Sequence, residues 1–567
     1  MTRYLALLGL HFLINFALLP DSAVVAHPVH HDDYANLAAS LHDFRLWTPR
    51  PVSTLVIATV AMLGTELAYL ALNLLVVACV FLCLKFVELF VRKGKPLPPL
   101  GFVAGGALAF GFASMIDWTK YFGLLTNLSS ALPGLGALCA VAALHNDPTR
   151  ARTLIPVTLV LSTLSFFAKE DFVLPILVAT ACLALLHRSR LWAATTAAVA
   201  ALFAAALLFN RVVGSVFVSG TRSPSDPYFV DLSPLSLATS LGRMLLASTH
   251  ARIVVALALT ATIVAIVVNR GDRTLAVKLA ALVVIALSVL APNSIFPNHA
   301  FAYYGFVAVA MFGATLVAAF YAAAPDLRRG SVEWAGALLV LLAAVGVWTS
   351  NEPRMAAARW YAEVGAYNRS ITGFLQQHRD ALRDRTVAVF GVAGLSPWSH
   401  SAGGYLTRAL RSQVGWQVFV PAQDTFYAFG RTGTVAVQPE TACDRGRSDA
   451  TLFVAFDVDG RGSFAQTCEE ALRRVHLPPM LETWGPKSVS IAEASAGFNM
   501  IFTGTNLGPG VDVSVGGASL SMVRAQRGQL MTTTIPPRSD PGRVVRFSVN
   551  DRGRSFLDGE VEVAGAR

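Results

Sequence analysis

The chain has 567 residues, of which 54% are hydrophobic and only 14% are charged, and its mean hydropathy is +0.54. This composition excludes an ordinary soluble globule, because there is too little polar surface to cover one. The net charge of +10 does not indicate a nucleic-acid partner, since Lys and Arg fall in short clusters between apolar runs, as in proteins that they orient in a membrane. The sequence therefore predicts a protein of the lipid bilayer that binds no nucleic acid.

About eleven runs approach the roughly 20 mostly apolar residues that a membrane-spanning helix needs. They lie at 3–20, 68–91, 101–115, 129–145, 153–168, 172–187, 191–210, 252–268, 274–291, 301–323 and 332–349. The segment 51–66 is also apolar, but it joins the next run without a basic loop. We interpret it as an interfacial or re-entrant helix.

Basic linkers predict how these runs are oriented. Lys and Arg cluster at every second boundary, in the linkers 91–95, 148–152, 187–190, 269–273 and 326–330. Cytoplasmic loops retain such residues, so we expect a cytoplasmic N-terminus in a bacterial inner membrane, with the intervening loops extracytoplasmic. An alternative for the N-terminus is a signal peptide cleaved after "SAVVA", which would leave the downstream topology unchanged.

After Trp348 the content of charge, Gly and Pro rises and no further apolar run follows. This shift predicts an extracytoplasmic region behind a transmembrane domain that comprises residues 1–350. Strand-like stretches, "TVAVFGV", "WQVFVP" and "TLFVAFDV", alternate with helical ones such as "YLTRALRSQV", which indicates a small α/β domain over 351–479.

Short alternating strands separated by turn residues fill the last part of the chain, 480–567. They resemble an immunoglobulin-like β-sandwich of the IPT/TIG type, on the motifs at 504–508, 513–517 and 536–537.

The six cysteines are divided between the apolar and the polar part of the chain. Four lie in apolar segments, whereas Cys443 and Cys468 lie in the polar region, where an oxidising compartment would allow them to pair.

The densest titratable cluster is "HPVHHDDY" at 27–34, just after the first apolar run. A carboxylate at an outer membrane surface can act as a general base toward an acceptor hydroxyl, which makes Asp32 and Asp33 candidates. The alternative is that one of them caps the following helix. The histidines here, His27, His30 and His31, would suit a divalent metal with the carboxylates, or they are ordinary membrane-interface residues.

Several weak motifs in order resemble the polytopic GT-C glycosyltransferases, most of all the protein O-mannosyltransferase and tetratricopeptide-type O-mannosyltransferase branches. These motifs are an acidic residue in the first outer loop, the "RP" step at 50–51, "STLSFFAKEDFVLPIL" at 162–177 and "NHAFAYYGF" at 298–306. The resemblance covers residues 1 to about 350. It implies a GT-C type membrane domain, followed here by the α/β region and the immunoglobulin-like sandwich.

The resemblance also implies an enzyme and its substrates. The donor would be a polyprenyl-phosphate sugar, the acceptor an extracytoplasmic glycan, lipid or protein, and the base Asp32 or Asp33. The donor phosphate would be met by outer-face cations, for which the candidates are Lys120, Lys169, Arg211 and Arg222. Further substrate-binding candidates are Tyr34, Glu170, His299, Tyr303 and Tyr304.

Two other functional classes stay open on the sequence. A transporter or flippase of a lipid-linked envelope precursor would carry ionisable residues at mid-membrane, whereas most charges here lie at the ends of the apolar runs. An adhesion or assembly protein that displays its C-terminal domains would need far fewer spans as an anchor. We therefore expect an inverting glycosyltransferase, with the transporter as the alternative.

Overall fold

The computed structural model describes residues 2–19, 50–92, 94–214, 229–323, 329–382, 386–390, 416–418, 451–456, 460–474, 479–505, 507, 511–525, 530–537, 542–551 and 554–564. Their contacts form two compact units, of which the first ends at Ala362 and the second begins at Glu363. The predicted division at 350 and 480 stays a prediction.

Helices build the first unit and the start of the second. In chain order they are α1 (Thr2–Phe12), α2 (Pro51–Ala61), α3 (Thr65–Phe90), α4 (Pro99–Phe110), α5 (Met115–Lys120), α6 (Leu125–Asn146), α7 (Ala151–Ala168), α8 (Val173–His187), α9 (Arg190–Gly214), α10 (Pro234–Leu245), α11 (Thr249–Val268), α12 (Arg273–Ser288), α13 (Ala291–Ser294), α14 (Phe306–Ala323), α15 (Arg329–Thr349), α16 (Asn351–Gln377) and α17 (Arg379–Leu382). A π-helical turn, Leu13–Ala17, continues α1. Helix α16 crosses the boundary at Ala362, and α17 lies in the second unit.

Each of the eleven predicted apolar runs contains a helix, which confirms a mostly helical first unit. Seven helical segments among the described residues are long and apolar enough to cross a membrane, and three shorter apolar helices accompany them. The seven are Glu66–Phe90, Phe122–Asn146, Pro148–Ala168, Glu170–His187, Arg190–Phe209, Thr249–Val268 and Ala302–Ala323. A multi-pass helical unit is thus supported, while the count of eleven crossings stays a prediction.

Ordinary start signals set several helix boundaries. Proline occupies the first turn of α2, α4 and α10, where its missing N–H is no loss. The side chains of Ser233, Ser248 and Asp272 accept hydrogen bonds from the first turns of α10, α11 and α12. The helix α10 lies between the predicted apolar runs 191–210 and 252–268, where the apolar pattern predicts no helix. Its end packs tightly on Gly305, where a side chain would collide with the carbonyl oxygen of Met244.

The helical unit packs around α6 and α14. Helix α6 contacts α3, α7 and α2, and α14 contacts α11, α4 and α3. Hydroxyl groups are buried where α6 meets its neighbours: Ser53 lies 2.7 Å from Ser129, and Ser130 lies 3.2 Å from Ser165. These contacts bring the end of α7 and the start of α6 to the same end of the bundle.

The second unit contains a sheet of four described strands, β1 (Thr386–Phe390), β2 (Trp416–Val418), β3 (Thr451–Phe456) and β4 (Gly462–Ala465). The strand order is β2-β1-β3-β4, in which β1 is parallel to both neighbours and β4 is antiparallel to β3. The ring of Phe374 in α16 packs against Phe456 and Phe464 of this sheet at centroid distances of 5.5 and 5.4 Å. The predicted strands at 386, 416 and 451 are therefore present, whereas the helix predicted from "YLTRALRSQV" lies outside the described residues.

Two further sheets follow in the C-terminal part. Their strands are β5 (Met480–Gly485), β6 (Ser488–Ser490), β7 (Phe498–Thr505), β8 (Val511–Val515), β9 (Ala518–Ser519), β10 (Met522–Ala525), β11 (Leu530–Ile535), β12 (Val544–Asp551) and β13 (Arg554–Ala564). The orders are β10-β11-β7-β5 and β6-β13-β12-β8-β9. Residues of both sheets, among them Met500, Val513, Met531 and Phe547, form one hydrophobic cluster. A C-terminal β region is thus present, and its assignment to the IPT/TIG type stays a prediction.

The described cysteines of the two units differ in their bonding state. Cys468, at the start of α18 (Cys468–Arg474), is disulfide-bonded, whereas Cys79, Cys83, Cys139 and Cys182 of the helical unit are free. The predicted partner, Cys443, lies outside the described residues. The remaining short helix, α19 (Ile491–Ala496), begins with a capping box formed by Ser490 and Glu493.

Candidate functional site

A sharp turn between α7 and α8 positions the first group of polar side chains. The Ser53 hydroxyl donates to the carbonyl oxygen of Ala168, and the Ser130 hydroxyl donates to that of Lys169, both at 2.7 Å. The last carbonyls of a helix have no partner within the helix, so these two hydroxyls satisfy them. The backbone that carries Lys169 is therefore fixed by side chains of α2 and α6.

Lys169 and Asp171 form a buried ion pair in this turn. The Lys169 Nζ lies 2.9 Å from Asp171 Oδ2 and donates to Asn127 Oδ1 at 2.7 Å. Asn293 donates to the other carboxylate oxygen of Asp171 at 3.1 Å. Only 6% of Lys169 and 7% of Asp171 is exposed. Burial lowers the pKa of Lys169, and the Asp171 carboxylate opposes that shift.

The motif "NHAFAYYGF" at 298–306 places an aromatic ring against the same ion pair. The Lys169 Nζ lies 4.6 Å from the centre of the Tyr304 ring, and the Tyr304 hydroxyl lies 2.9 Å from His299 Nε2. The carbonyl oxygen of Tyr303 accepts a hydrogen bond from Trp118 Nε1 at 2.6 Å, which connects this segment to α5. We name six residues the Lys169 cluster: Asn127, Lys169, Asp171, Asn293, His299 and Tyr304.

The Lys169 cluster has no net charge, because its ammonium group is paired with its carboxylate and its other groups are uncharged. Since the charges of Lys169 and Asp171 cancel, what it offers a ligand is a set of amide, imidazole and phenol hydrogen-bonding groups. Glu170 lies at its border, 3.7 Å from Arg50. Such a surface suits a neutral polyhydroxylated ligand better than a bare anion.

The protonation of His299 should make the stability of the helical unit depend on pH. Burial lowers the pKa of His299 below its ordinary 6.5, with the charges of Lys169 and Arg50 as further causes. The unfolded chain then binds a proton more readily, so stability is complete above pH 6.5 and declines as the pH falls toward the lowered value. A series of thermal unfolding curves should show this decline, and His299→Gln, which still offers Tyr304 an acceptor, should reduce it. An identical decline in the variant would contradict this assignment.

A second basic site lies at the end of α5 and the start of α16. Lys120 is 2% exposed, and its Nζ lies 4.1 Å from the centre of the Phe16 ring. It makes no hydrogen bond or ion pair with any residue that the structure describes. Burial lowers its pKa to about 7.

Arg354 completes this second site. It is 0% exposed, and its Nη2 donates at 2.7 Å both to the Ile14 carbonyl oxygen and to Asn15 Oδ1. Its Nε and Nη1 are buried and have no hydrogen-bond partner among the residues that the structure describes. Burial lowers the pKa of Arg354 to about 10, so the guanidinium still carries its charge at neutral pH. We call Lys120 and Arg354 the basic pair.

The structure brings together part of the site expected from the sequence. Lys169, His299 and Tyr304 are in one cluster, Glu170 and Tyr303 lie beside it, and Lys120 belongs to the basic pair. Arg211 falls in α9, where its side chain is not described, and four candidates lie outside the described residues: Asp32, Asp33, Tyr34 and Arg222. Their roles stay predictions.

Four residues of these two sites were not singled out in the sequence. Asn127 and Asn293 lack a charge, and Asp171 is one of two adjacent carboxylates that follow Lys169 in "AKED". Arg354 follows the last apolar run, where a basic residue is normally taken for a headgroup contact. The two carboxylates directly after Lys169 are the only signal in the sequence that indicates an ion pair here.

No metal centre is seen among the described residues, where no three His, Cys, Asp or Glu side chains come together as ligands would. The histidines considered for a divalent metal, His27, His30 and His31, lie outside that part of the chain. The metal interpretation therefore stays a prediction.

Comparison with known proteins gives a weak likeness of fold. No protein-family model and no curated protein sequence matches the chain. Among solved structures it is similar to the single-particle cryo-EM structure of the arabinofuranosyltransferase AftD from Mycobacteria, with 13% identity and a TM-score of 0.41. That match covers 96% of this chain and 40% of AftD. A point variant of AftD matches with 12% identity and a TM-score of 0.40, over 96% of this chain and 42% of the other.

Proposed function

We propose that the protein is a polytopic GT-C type glycosyltransferase, which moves a sugar from a polyprenyl-phosphate donor to an extracytoplasmic acceptor. The observation that carries this proposal is the contact between two motifs that the resemblance had picked out separately. Lys169 comes from "AKED" and Tyr304 and His299 from "NHAFAYY", and the buried Lys169 side chain meets the half-buried side chains of Tyr304 and His299 in one cluster. Motifs that are distant in sequence and adjacent in space are what a shared substrate site requires.

The proposed reaction is an inverting displacement. The acceptor oxygen attacks the anomeric carbon while its proton passes to the carboxylate of Asp32 or Asp33. The bond from the anomeric carbon to the phosphate oxygen breaks on the opposite face, and the electron pair leaves with the phosphate. A cation must neutralise that leaving group, for which the sequence offers Lys120, Lys169, Arg211 and Arg222. Since Asp171 balances the charge of Lys169, we propose Lys120, Arg211 or Arg222 for this role.

The Lys169 cluster would hold the sugar of the donor or the acceptor. Its amide, imidazole and phenol groups can exchange hydrogen bonds with hydroxyls, and Tyr34, Glu170 and Tyr303 are proposed to extend it. The acceptor would be a glycan, a lipid or a protein.

The remaining organisation is proposed as the sequence predicts it. A GT-C type domain over 1–350 would span a bacterial inner membrane about eleven times, with its N-terminus in the cytoplasm. The α/β region at 351–479 and an IPT/TIG-like sandwich at 480–567 would then face outward.

The transporter or flippase alternative gains no support from the described helices. Such a protein needs ionisable groups along a path at mid-membrane. The buried Glu88 lies near the end of α3, where it is paired with Arg3 and Lys85. Lys278 lies in the first half of α12, and its Nζ is 5.9 Å from the centre of the Phe90 ring at the end of α3.

The test of the proposal is a transfer assay in membranes that contain the full chain. A polyprenyl-phosphate donor with a radiolabelled sugar is added, and the label is followed into water-soluble or acceptor-bound material. We expect label transfer that membranes without the protein do not show. Movement of intact donor across the bilayer, with no donor consumed, would instead establish the transporter.

A further inference from the structure

Two histidines from different helices meet where those helices end. His145 lies in the last turn of α6, and His187 is the last residue of α8. The Nε2 of His187 lies 2.9 Å from the Nδ1 of His145, and the two ring centres are 4.9 Å apart. His187 is exposed and His145 is half-buried, so solvent reaches the pair. Neither residue belongs to the sites described above.

Helices α6 and α8 run side by side from the Lys169 cluster to this histidine pair. Asn127 lies in the first turn of α6 and Asp171 in the turn before α8, and both contact the Lys169 ammonium group. The two helices also contact each other. Since they begin together and end together, they are parallel. The histidine pair is therefore separate from the proposed sugar site and lies at the other end of the same two helices.

The distance between the two nitrogens fits two ligands of one metal ion. Imidazole nitrogens bind Zn²⁺, Cu²⁺ and Ni²⁺ at about 2.0–2.1 Å, so two of them at a right angle lie about 2.9 Å apart, and at the tetrahedral angle about 3.4 Å. The observed 2.9 Å is the distance between neighbouring corners of a square-planar or octahedral site. Only the ring orientations have to change, because the hydrogen-bonded nitrogens point at each other.

The protons of the two rings allow this change. A neutral imidazole carries a proton on one nitrogen and a lone pair on the other, and here one ring donates its proton to the lone pair of the other ring. When an ion binds, the donating ring carries its proton on its second nitrogen instead. Both rings stay neutral, each offers a lone pair to the ion, and no proton is lost.

We infer that His145 and His187 form a binding site for a divalent transition-metal ion that prefers nitrogen ligands. Two protein ligands leave the remaining coordination positions to water, so the ion exchanges with solvent, unlike the ion of a closed four-ligand zinc site. Mg²⁺ and Ca²⁺ do not suit the pair, because they prefer oxygen ligands. A bound ion would hold the ends of α6 and α8 together. The inference goes beyond the proposed function, since it requires no sugar transfer.

The experiment is a calorimetric titration of the full-length protein in detergent, purified without a polyhistidine tag and stripped of metal with a chelator. The three histidines of "HPVHHDDY" are replaced by Gln throughout, because that segment is a metal candidate of its own. We call this chain the parent protein. Ni²⁺, Zn²⁺ and Mg²⁺ are titrated into it and into its His145→Gln, His187→Gln and doubly substituted variants. The matched control is His378→Gln, since the His378 ring packs against the rings of Phe374 and Phe464.

We expect the parent protein to bind Ni²⁺ and Zn²⁺ at one site more than the double variant, and to bind no Mg²⁺ there. Each single change should lower the affinity of that site by roughly tenfold or more, whereas His378→Gln should keep it. Equal binding by the parent protein and the double variant would overturn the inference and assign the ion to other histidines. Either result leaves the transfer assay unaffected, so the proposed function is tested separately.

A second readout separates coordination from a merely structural contact between the rings. The electron paramagnetic resonance spectrum of bound Cu²⁺ should show coupling to two imidazole nitrogens in the parent protein and to one in either single variant. His187→Cys, which offers a thiolate in place of the imidazole, should regain Zn²⁺ affinity that His187→Gln loses. Identical Cu²⁺ spectra in the parent protein and both single variants, or no gain in His187→Cys, would contradict coordination by the pair.

Discussion

Replacing Lys169 with Met is expected to destabilise the helical unit by about 3–5 kcal/mol, because it leaves a buried carboxylate without its counterion. Among the described residues, Asp171 keeps only the side-chain hydrogen bond from Asn293 once the lysine is gone. Asn127 loses the ammonium donor that its side-chain oxygen accepts from at 2.7 Å. The expected measurement is a drop in the melting temperature of the purified protein in detergent.

Neutralising the carboxylate as well should restore much of that loss. In Lys169→Met with Asp171→Asn neither member of this pair leaves a buried charge, so the double variant should be more stable than Lys169→Met alone. The matched control is Arg150→Met, which breaks a pair with Asp147 in the same unit whose side chains are 73% and 45% exposed. Exposed pairs contribute about 0–1 kcal/mol, so its effect should be small. Equal effects of Lys169→Met and Arg150→Met would show that the buried pair is not formed.

Apolar patterning predicted the helices of the first unit well, because a run that suits a bilayer is also a run that favours a helix. The bounds differ by only a few residues at α7, which was predicted at 153–168 and is found at Ala151–Ala168. The helix α10 was missed for a physical reason. It is short and amphipathic, and its position depends on contacts with α13 and the turns at 297–305 that no local pattern displays.

The candidate site was predictable where the chemistry is carried by charged or aromatic residues in a recognisable motif. Lys169, His299 and Tyr304 were found in this way. The motif "AKED" could not show which carboxylate pairs with the lysine, and the structure assigns Asp171 to Lys169 and Glu170 to Arg50. That distinction depends on the turn of the backbone and on which neighbours bury each side chain.

The two sites with a buried lysine differ in whether a carboxylate balances the charge of that lysine. Each has a buried lysine near an aromatic ring, Lys169 over Tyr304 and Lys120 over Phe16. A carboxylate accompanies the first and an arginine accompanies the second. Among the described residues, a carboxylate therefore balances the charge of Lys169 and none balances that of Lys120.

The largest effect on activity is expected at the two adjacent aspartates of the first outer loop. Replacing both Asp32 and Asp33 with Asn should lower the rate of sugar transfer by about 10²–10⁴-fold, the range that a positioned general base contributes. The amide of Asn cannot take the proton of the acceptor hydroxyl at neutral pH. Initial rates of label transfer in membranes, at matched amounts of protein, measure this loss.

The Asn substitution also separates the two roles that the sequence leaves open for these residues. Asn caps a helix about as well as Asp does, so a cap would survive the change while a base would not. Unchanged melting temperatures with lost transfer would thus indicate a base, and the single variants would show which aspartate it is. Asp43→Asn, in the same outer segment, makes the same change of charge outside the cluster and should transfer normally. Normal transfer by the double variant would reject the base, because no inverting displacement proceeds at full rate once the group that accepts its proton is gone.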